Sequence, residues 1–315
     1  MSTSHTVLQA GPLPSILASR LSHLAPVQVL SEASDRNRFL AESGHEFTVL
    51  VTTGTQGASG ELIRALPRLQ AICSLGVGFD AIDLDAARAQ GVVVSNTPDV
   101  LNNCVADLAM GLLIDVVRGL SAADRHVRRG HWPNHGPTAP TTRVSGKRLG
   151  LLGMGRIAQA IAQRASGFDM NIRYHCRTPK PALPWTHEPA LLELAAWSDF
   201  LVVACTGGRE TVHLVSAEVL DALGPKGFLV NIARGSVVDE AALVDSLQSG
   251  GLAGAGLDVF ENEPHVPAAL LAMDNVVLLP HVASGTQETR HAMAELVLEN
   301  LASFLKSGRL VTEVT

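Results

Sequence analysis

Three segments in the second half of the chain each follow an apolar run and carry one strongly polar side chain. They are NIARGSVVDE with Arg234, GLDVFENEP with Glu263 and LLPHVASGT with His281. An arginine can bind a carboxylate through two parallel hydrogen bonds, and a histidine can donate a proton to a carbonyl oxygen. A carboxylate beside that histidine keeps it charged and oriented. The set suits the reduction of a 2-oxo acid. The alternative interpretation of His281 is a histidine at the end of a strand that bonds to the backbone.

A glycine-rich turn precedes these segments. The stretch RLGLLGMGRIAQAIA reads as an apolar strand, a turn and a helix, and it fits G-x-G-x-x-G/A with Gly153, Gly155 and Ala158. The first glycine makes a tight turn, the second lets a pyrophosphate approach the backbone, and the third position must be small for packing. The helix that begins at Arg156 and Ile157 offers free N–H groups to phosphates. We therefore predict a dinucleotide site, and the alternative is a glycine turn without a ligand.

The stretch IRYHCRTPKP, about 20 residues beyond the glycines, bears on the choice of cofactor. In sites for NAD, an acidic residue at this distance binds the ribose 2′-hydroxyl. The place falls near Cys176, where no Asp or Glu is present, and Arg177 and Thr178 follow. An arginine can pair with a 2′-phosphate, and a threonine can donate a hydrogen bond to it. This favours NADPH over NADH, and the alternative is a solvated Arg177 with loose cofactor choice.

Composition excludes several classes of partner. The chain has 315 residues, a net charge of -6 and no long basic run, which disfavours nucleic acid. The four cysteines form no C-x-x-C pair, which is typical of reduced thiols. No signal peptide and no long uninterrupted apolar segment is visible, so we expect a soluble cytoplasmic protein without a membrane contact. His131 and His135 lack a third ligand, so no metal site is predicted.

The order of elements predicts the fold class. Short apolar runs return about every 20 residues with helical patterns between them, which is typical of βαβ units and a parallel sheet. Predicted strands of a first series are 6–9, 27–30, 47–51, 71–74 and 92–95, with helices at 15–24 and 60–66. A second series contains strands 148–152, 171–175, 200–204, 228–232, 254–259 and 276–279. The near-continuous apolar character of the second series indicates a sheet that is covered on both faces.

Two α/β domains follow from this order. A single long helix over 100–128 separates the two series, a loop rich in Pro, Gly and His follows at 130–142, and a last helix spans 286–307. We predict that residues 1–98 with 286–315 form one domain and that residues 99–285 form a second, inserted domain.

Seven ordered motifs resemble the D-isomer-specific 2-hydroxyacid dehydrogenase family, in its glyoxylate/hydroxypyruvate and hydroxyphenylpyruvate reductase branch, over nearly the whole chain. They are SLGVGFDAIDL, VSNTPDVLNNCVADLAMGLL, GLLGMGRIAQAIA, CRTPKP, NIARGSVVDE, GLDVFENEP and LLPHVASGT. The resemblance implies two doubly wound, Rossmann-like parallel-sheet domains, a flavodoxin-like substrate domain and an inserted dinucleotide-binding domain. It also implies a homodimer and a product of D configuration.

The resemblance further implies roles for single residues. Arg234, Glu263 and His281 match the family's catalytic arginine, glutamate and histidine, and the backbone N–H groups of Val77 and Gly78 are expected to hold the substrate carboxylate together with Arg234. Arg177 and Thr178, next to Cys176, match the NADP-selecting positions. Further expected cofactor contacts are Val105, Thr206, Ile232, Ala233, Asp258 and His281, although Val105 and Ile232 would fit equally as core residues.

One departure from the family's motifs and one alternative function leave other interpretations open. The stretch Cys205-Thr206-Gly207-Gly208 lacks the proline that is common after this strand in the family. A corepressor-type protein that senses the dinucleotide without much turnover shares such a fold. Turnover with NADPH would separate the two functions. The side chain of the 2-oxo acid is not determined by the sequence.

Overall fold

The computed structural model describes residues 5–314, and in that range short buried strands alternate with helices. The strands are β1 (Val7–Gln9), β2 (Val27–Val29), β3 (Val49–Thr53), β4 (Ala71–Leu75), β5 (Val93–Ser95), β6 (Arg148–Leu152), β7 (Asn171–His175), β8 (Thr186–His187), β9 (Phe200–Val203), β10 (Phe228–Asn231), β11 (Gly254–Leu257) and β12 (Val276–Leu278). The helices are α1 (Ser15–Leu21), α2 (Arg36–Ser43), α3 (Gly60–Arg64), α4 (Leu84–Ala89), α5 (Asn102–Arg118), α6 (Leu120–Arg128), α7 (Trp132–His135), α8 (Arg156–Ser166), α9 (Leu191–Trp197), α10 (Ala217–Leu223), α11 (Glu240–Ser249), α12 (Ala268–Leu271) and α13 (Gln287–Ser307).

The chain divides into two units, and the first combines the residues up to Leu101 with those from Gly285 onward. Its sheet has the order β2-β1-β3-β4-β5, and every pair is parallel. This is the flavodoxin-like order. All five residues of β4 are buried, and α13 packs against this strand. The first predicted sheet is therefore present.

The segment after α13 covers the edge of this sheet at β5. Glu313 forms an antiparallel bridge with Ser95, and the N–H of Val314 donates to the carbonyl oxygen of Val94 at 2.9 Å. The hydroxyl of Thr312 donates to the carbonyl oxygen of Asn96 at 2.6 Å. Edge strands offer unpaired backbone groups, and here the returning chain binds some of them.

The second unit spans residues 102–284. Its sheet has the order β12-β11-β10-β9-β6-β7-β8, again with parallel pairs. This is the doubly wound order of dinucleotide-binding domains with one more strand at the end. β9, β10 and β11 are buried along their whole length, because helices cover both faces. The predicted fold class, two Rossmann-like parallel-sheet domains, is confirmed.

Two local predictions were wrong, and one strand was missed. The single helix over 100–128 is two helices, α5 and α6, since Gly119 between them adopts a left-handed conformation with φ 62° that only glycine takes readily. The loop at 130–142 contains the short helix α7, although Pro and Gly surround it. The edge strand β8 was not predicted, because two residues carry no periodic pattern. Other ends differ by a few residues, as helix and strand ends commonly do.

None of the helices in the described range is long and apolar enough to cross a membrane. The four cysteines are free thiols. Burial raises the pKa of Cys73 to about 12 and, against a weaker opposing backbone hydrogen bond, that of Cys205 to about 11. A raised pKa disfavours the thiolate, which is the reactive form of cysteine.

Candidate active site

The glycine turn lies between β6 and α8, beside the point where the strand order reverses. Gly153 has φ 99°, and a β-carbon there would lie 2.7 Å from the backbone nitrogen of Cys205. A β-carbon on Gly155 would meet no heavy atom of the described residues within 4 Å. Ala158 is fully buried in α8. The turn thus has the shape that the dinucleotide fingerprint requires, with open space at the start of a helix where a pyrophosphate fits.

A cavity of about 600 Å³ opens at this turn. Its lining brings together six of the predicted dinucleotide contacts from three strand ends, namely Gly153, Gly155, Cys176, Arg177, Thr178 and Thr206. Ligands of open parallel sheets bind beyond the carboxyl ends of the strands, and this cavity lies there. Its size and its mixture of glycines and polar side chains fit part of a dinucleotide.

Side chains of β7 and β8 hold the loop after β7. The hydroxyl of Tyr174, which is 1% exposed, accepts the N–H of Lys180 at 2.9 Å. A ring nitrogen of His187 in β8 lies 3.0 Å from the carbonyl oxygen of Cys176, and the thiol of Cys176 donates to the carbonyl oxygen of Thr178 at 3.0 Å. Sequence reasoning missed Tyr174 and His187, since their effect depends on contacts that β8 creates.

The guanidinium of Arg177 donates to the carboxylate of Glu210, which lies in a single 3-10 turn after β9. Both side chains line the cavity, and both are largely exposed. Glu210 was not among the predicted site residues. Nothing in the sequence near it signals a ligand contact, because it reaches Arg177 only through the tertiary fold.

His281 and Glu263 form a close pair at the ends of β12 and β11. Nδ1 of His281 lies 2.8 Å from Oε2 of Glu263. Oε1 of the same carboxylate accepts the N–H of Phe260 at 3.1 Å. Because the carboxylate accepts from Nδ1, the other ring nitrogen, Nε2, is available for proton transfer. An apolar pocket of about 290 Å³ adjoins both side chains.

The charges around Glu263 favour its ionised form. Burial acts to raise its pKa, but the hydrogen bond and the charge of His281, the N–H of Phe260 and the charge of Arg234 outweigh burial and lower it. The carboxylate is thus held as an anion beside the imidazole. This is the arrangement that orients a histidine for general acid catalysis.

Arg234 follows β10 and extends from a segment that Asn231 holds. The buried amide of Asn231 donates to the carbonyl oxygen of Arg234 at 2.9 Å and accepts the N–H of Ala233 at 3.0 Å. The next residue, Gly235, packs so closely on Phe260 that an added β-carbon would lie 1.9 Å from its carbonyl carbon. The segments that carry Arg234 and Glu263 are therefore in direct contact.

Asp258 fixes the segment that carries His281. Its two carboxylate oxygens accept the N–H groups of Val282 at 2.8 Å and Ala283 at 2.9 Å. The side chain is fully buried, and this burial raises its pKa against the opposing effect of the two N–H groups. A contact from Asp258 to a nicotinamide amide stays a prediction.

The remaining predicted contacts lie outside the dinucleotide cavity. The side chains of Val105, Ile232 and Ala233 are buried, which agrees with the core alternative for Val105 and Ile232 and leaves only backbone contacts from Ile232 and Ala233 as a prediction. Val77 and Gly78 belong to the first unit. There the amide of Asn96 donates to the carbonyl oxygen of Val77 at 2.8 Å, which fixes that peptide.

The two histidines that flank the first turn of α7 pack ring against ring. The centroids of His131 and His135 are 5.2 Å apart, and His135 Nδ1 lies 3.2 Å from the carbonyl oxygen of His131. Within residues 5–314, no group of three or more His, Cys, Asp or Glu side chains has the geometry of a metal site.

Comparison with known proteins gives consistent matches over this fold. The model of the D-isomer specific 2-hydroxyacid dehydrogenase NAD-binding domain matches residues 110–283. The chain is 50% identical over 276 residues to a hydroxyphenylpyruvate reductase of Plectranthus scutellarioides, covering 88% of each. It is 44% identical over 308 residues to a glyoxylate/hydroxypyruvate reductase of Arabidopsis thaliana, covering 98% of each.

A solved structure is similarly close. The NADPH-dependent glyoxylate/hydroxypyruvate reductase of Sinorhizobium meliloti, in complex with NADP and malonate, superimposes with a TM-score of 0.92 at 41% identity. The match covers 99% of this chain and 97% of that one.

Proposed function

The chain belongs to the D-isomer specific 2-hydroxyacid dehydrogenase family, and from that membership we propose that it reduces a 2-oxo acid to the D-2-hydroxy acid with NADPH. The observation that carries the proposal is the His281–Glu263 pair at 2.8 Å, with the charge of Arg234 acting on the same carboxylate. These groups lie in the same unit as the glycine turn. Glyoxylate, hydroxypyruvate and aryl pyruvates are the candidate substrates, as the relatives' names suggest.

Each polar group has a part in this chemistry. Bound NADPH supplies the hydride for the ketone carbon. Nε2 of His281 donates a proton to the ketone oxygen as the charge develops there. Glu263 accepts from Nδ1 of His281 and so orients the imidazole. Arg234 binds the substrate carboxylate with two hydrogen bonds, and the N–H groups of Val77 and Gly78 are proposed as further donors to it.

Arg177 and Thr178 are the proposed NADPH-selecting residues. Both line the cavity at the glycine turn, and the similar Sinorhizobium meliloti enzyme is an NADPH-dependent reductase. Replacement of Arg177 by alanine should raise the KM for NADPH much more than the KM for NADH, because only NADPH carries the 2′-phosphate. Arg68→Ala, a change at an exposed residue of the first unit, is the control. Equal effects of Arg177→Ala on both KM values would contradict the assignment.

The kinetic test uses NADPH and NADH with glyoxylate, hydroxypyruvate, phenylpyruvate and hydroxyphenylpyruvate. We expect NADPH-dependent reduction of at least one acid, and chiral analysis of the product should give the D isomer. The alternative function, a dinucleotide sensor of the corepressor type, is not favoured, because the similar proteins are named reductases. Tight NADPH binding with no turnover of any of the four acids would favour the sensor.

We also propose a homodimer in the cytoplasm. Helix α6 has no buried residue, and Leu120, Val127 and Trp132 on α6 and α7 are 50%, 52% and 57% exposed. Several large exposed apolar side chains on consecutive helices are typical of an interface. Free thiols suit a reducing compartment. Light scattering after gel filtration should give the mass of a dimer, and Val127→Glu should lower it, whereas Leu192→Glu on α9 should not.

A further inference from the structure

A carboxylate lies beside Arg177, the proposed cofactor-selecting residue, although it comes from a different segment of the chain. The stretch IRYHCRTPKP contains no acidic residue, yet Glu210, 33 residues further along the chain than Arg177, lies against the guanidinium of Arg177. Both side chains line the cavity that opens at the glycine turn. The rim of the cavity therefore presents a cation and an anion side by side.

The backbone around Glu210 is held from both sides. The hydroxyl of Thr211 bonds to the carbonyl oxygens of Thr206 at 2.9 Å and Gly208 at 3.1 Å. Two residues further on, the N–H of His213 donates to the carbonyl oxygen of Ser236 at 2.8 Å. This anchoring keeps Glu210 at the mouth of the cavity, so its nearness to Arg177 does not depend on a long flexible loop.

The charge distribution makes the ion pair easy to exchange. The side chains of Arg177 and Glu210 are 82% and 75% exposed, so water screens their attraction and either partner can be released at little cost. Arg177, Lys180 and Arg209 are the Arg and Lys residues of the cavity lining, and Glu210 is the one Asp or Glu among the described residues that line it. A phosphate is therefore attracted to this rim by three cations and repelled by one anion.

The two cofactors need opposite partners at the adenosine ribose. A 2′-hydroxyl is a donor that a carboxylate accepts, whereas a 2′-phosphate pairs with an arginine. We propose that Glu210 is the acceptor for the ribose hydroxyl of NADH and that Arg177 is the partner of the 2′-phosphate of NADPH. The protein then binds both cofactors at one site, and Glu210 determines their ratio. This proposal rests on the proposed function, since it assigns the cofactor selectivity of that site.

The proposal predicts opposite effects of one substitution. NADPH has to separate Arg177 from Glu210 and bring its phosphate close to a carboxylate, whereas NADH gains a hydrogen bond from the same carboxylate. Glu210→Gln should therefore lower the Kd for NADPH and raise the Kd for NADH, each by about threefold to tenfold. The selectivity for NADPH would then increase by roughly tenfold or more.

Titration calorimetry with NADPH, NADH, 2′,5′-ADP and 5′-AMP measures the Kd values without any turnover. Glu218→Gln removes the same charge from an exposed position of α10 outside the cavity lining, and it should leave the ratio of the two Kd values unchanged. Glu210→Asp should retain part of the wild-type NADH affinity. Glu210→Gln should lower the Kd for NADPH less in the Arg177→Ala background than in the wild type, because the part of the gain that comes from the released arginine is then absent.

The outcomes separate this proposal from the proposed function. Equal shifts for both cofactors, or the same shift in Glu218→Gln, would overturn the role of Glu210, as would a wild-type protein that binds neither cofactor. Cofactor binding with the expected opposite shifts, but no reduction of any 2-oxo acid, would support the role of Glu210 and reject the reductase function.

Discussion

Asp258 holds the backbone at His281 with both its main-chain carbonyl group and its side-chain carboxylate. Its carbonyl oxygen accepts the N–H of His281 at 2.9 Å, and its carboxylate accepts the next two N–H groups, those of Val282 and Ala283. His281 has φ 54°, a left-handed conformation that is uncommon for residues other than glycine. The direction of the imidazole thus depends on a buried carboxylate that accepts backbone N–H groups.

Asp258→Asn should lower both stability and kcat. A carboxamide has one acceptor oxygen, so one of the two N–H groups loses its partner, at a cost of about 1–3 kcal/mol in the free energy of unfolding. The loosened His281 should reduce kcat by roughly tenfold. Denaturant unfolding and steady-state kinetics measure the two effects, with the exposed Asp245→Asn as a control. Unchanged unfolding in Asp258→Asn would show that the two hydrogen bonds do not hold the segment.

His281→Gln should abolish proton donation and leave cofactor binding intact. General acid catalysis contributes about 10²–10⁴-fold to rate, so kcat should fall by that order. The Kd for NADPH should remain within about twofold of the wild-type value, because the dinucleotide cavity does not include this side chain. His265→Gln, a change at an exposed histidine two residues after Glu263, is the control. A kcat that survives in His281→Gln would assign the proton to another donor.

Glu263→Gln should change the pH dependence of stability. The folded pKa of Glu263 lies below the ordinary value of 4.5, so its ionised form stabilises the fold. This contribution is complete above pH 4.5 and is lost as the pH falls through the lowered folded pKa. The wild type should be more stable than Glu263→Gln by about 1 kcal/mol near neutral pH, with the difference shrinking in acid. A stability difference between the wild type and Glu263→Gln that grows as the pH falls would contradict this prediction.

Two glycines of one turn should respond differently to alanine. Gly153→Ala forces a β-carbon to 2.7 Å from the backbone of Cys205 at a φ of 99°, so the second unit should lose stability and express poorly. Gly155→Ala meets open space at an ordinary φ of -73°, so the protein should stay folded. Its NADPH affinity should nevertheless fall by about tenfold or more, because the methyl group occupies the space of the pyrophosphate. Thermal unfolding measures the stability of each variant, and titration calorimetry measures its affinity for NADPH.

The sheets could be predicted because buried parallel strands are nearly continuous apolar runs, as in β4, β9 and β10. The break between α5 and α6 could not, since Gly119 lies within an uninterrupted helical pattern and only its backbone conformation ends the helix. The pairing of His281 with Glu263 was expected from the order of strand ends. The pairing of Arg177 with Glu210 was not, because no periodic pattern relates residues of two different loops.

The return of the chain to β5 has a consequence for biosynthesis. β1 to β5 emerge from the ribosome first, but α13 and the segment 312–314, which complete that unit, follow residues 102–284. At 5–20 residues per second, the translation of that insertion takes about 10 to 40 s. During this interval the edge of β5 is uncovered and available to chaperones or to other nascent chains. The second unit is continuous in sequence and can close while it is being made, so we expect it to fold first.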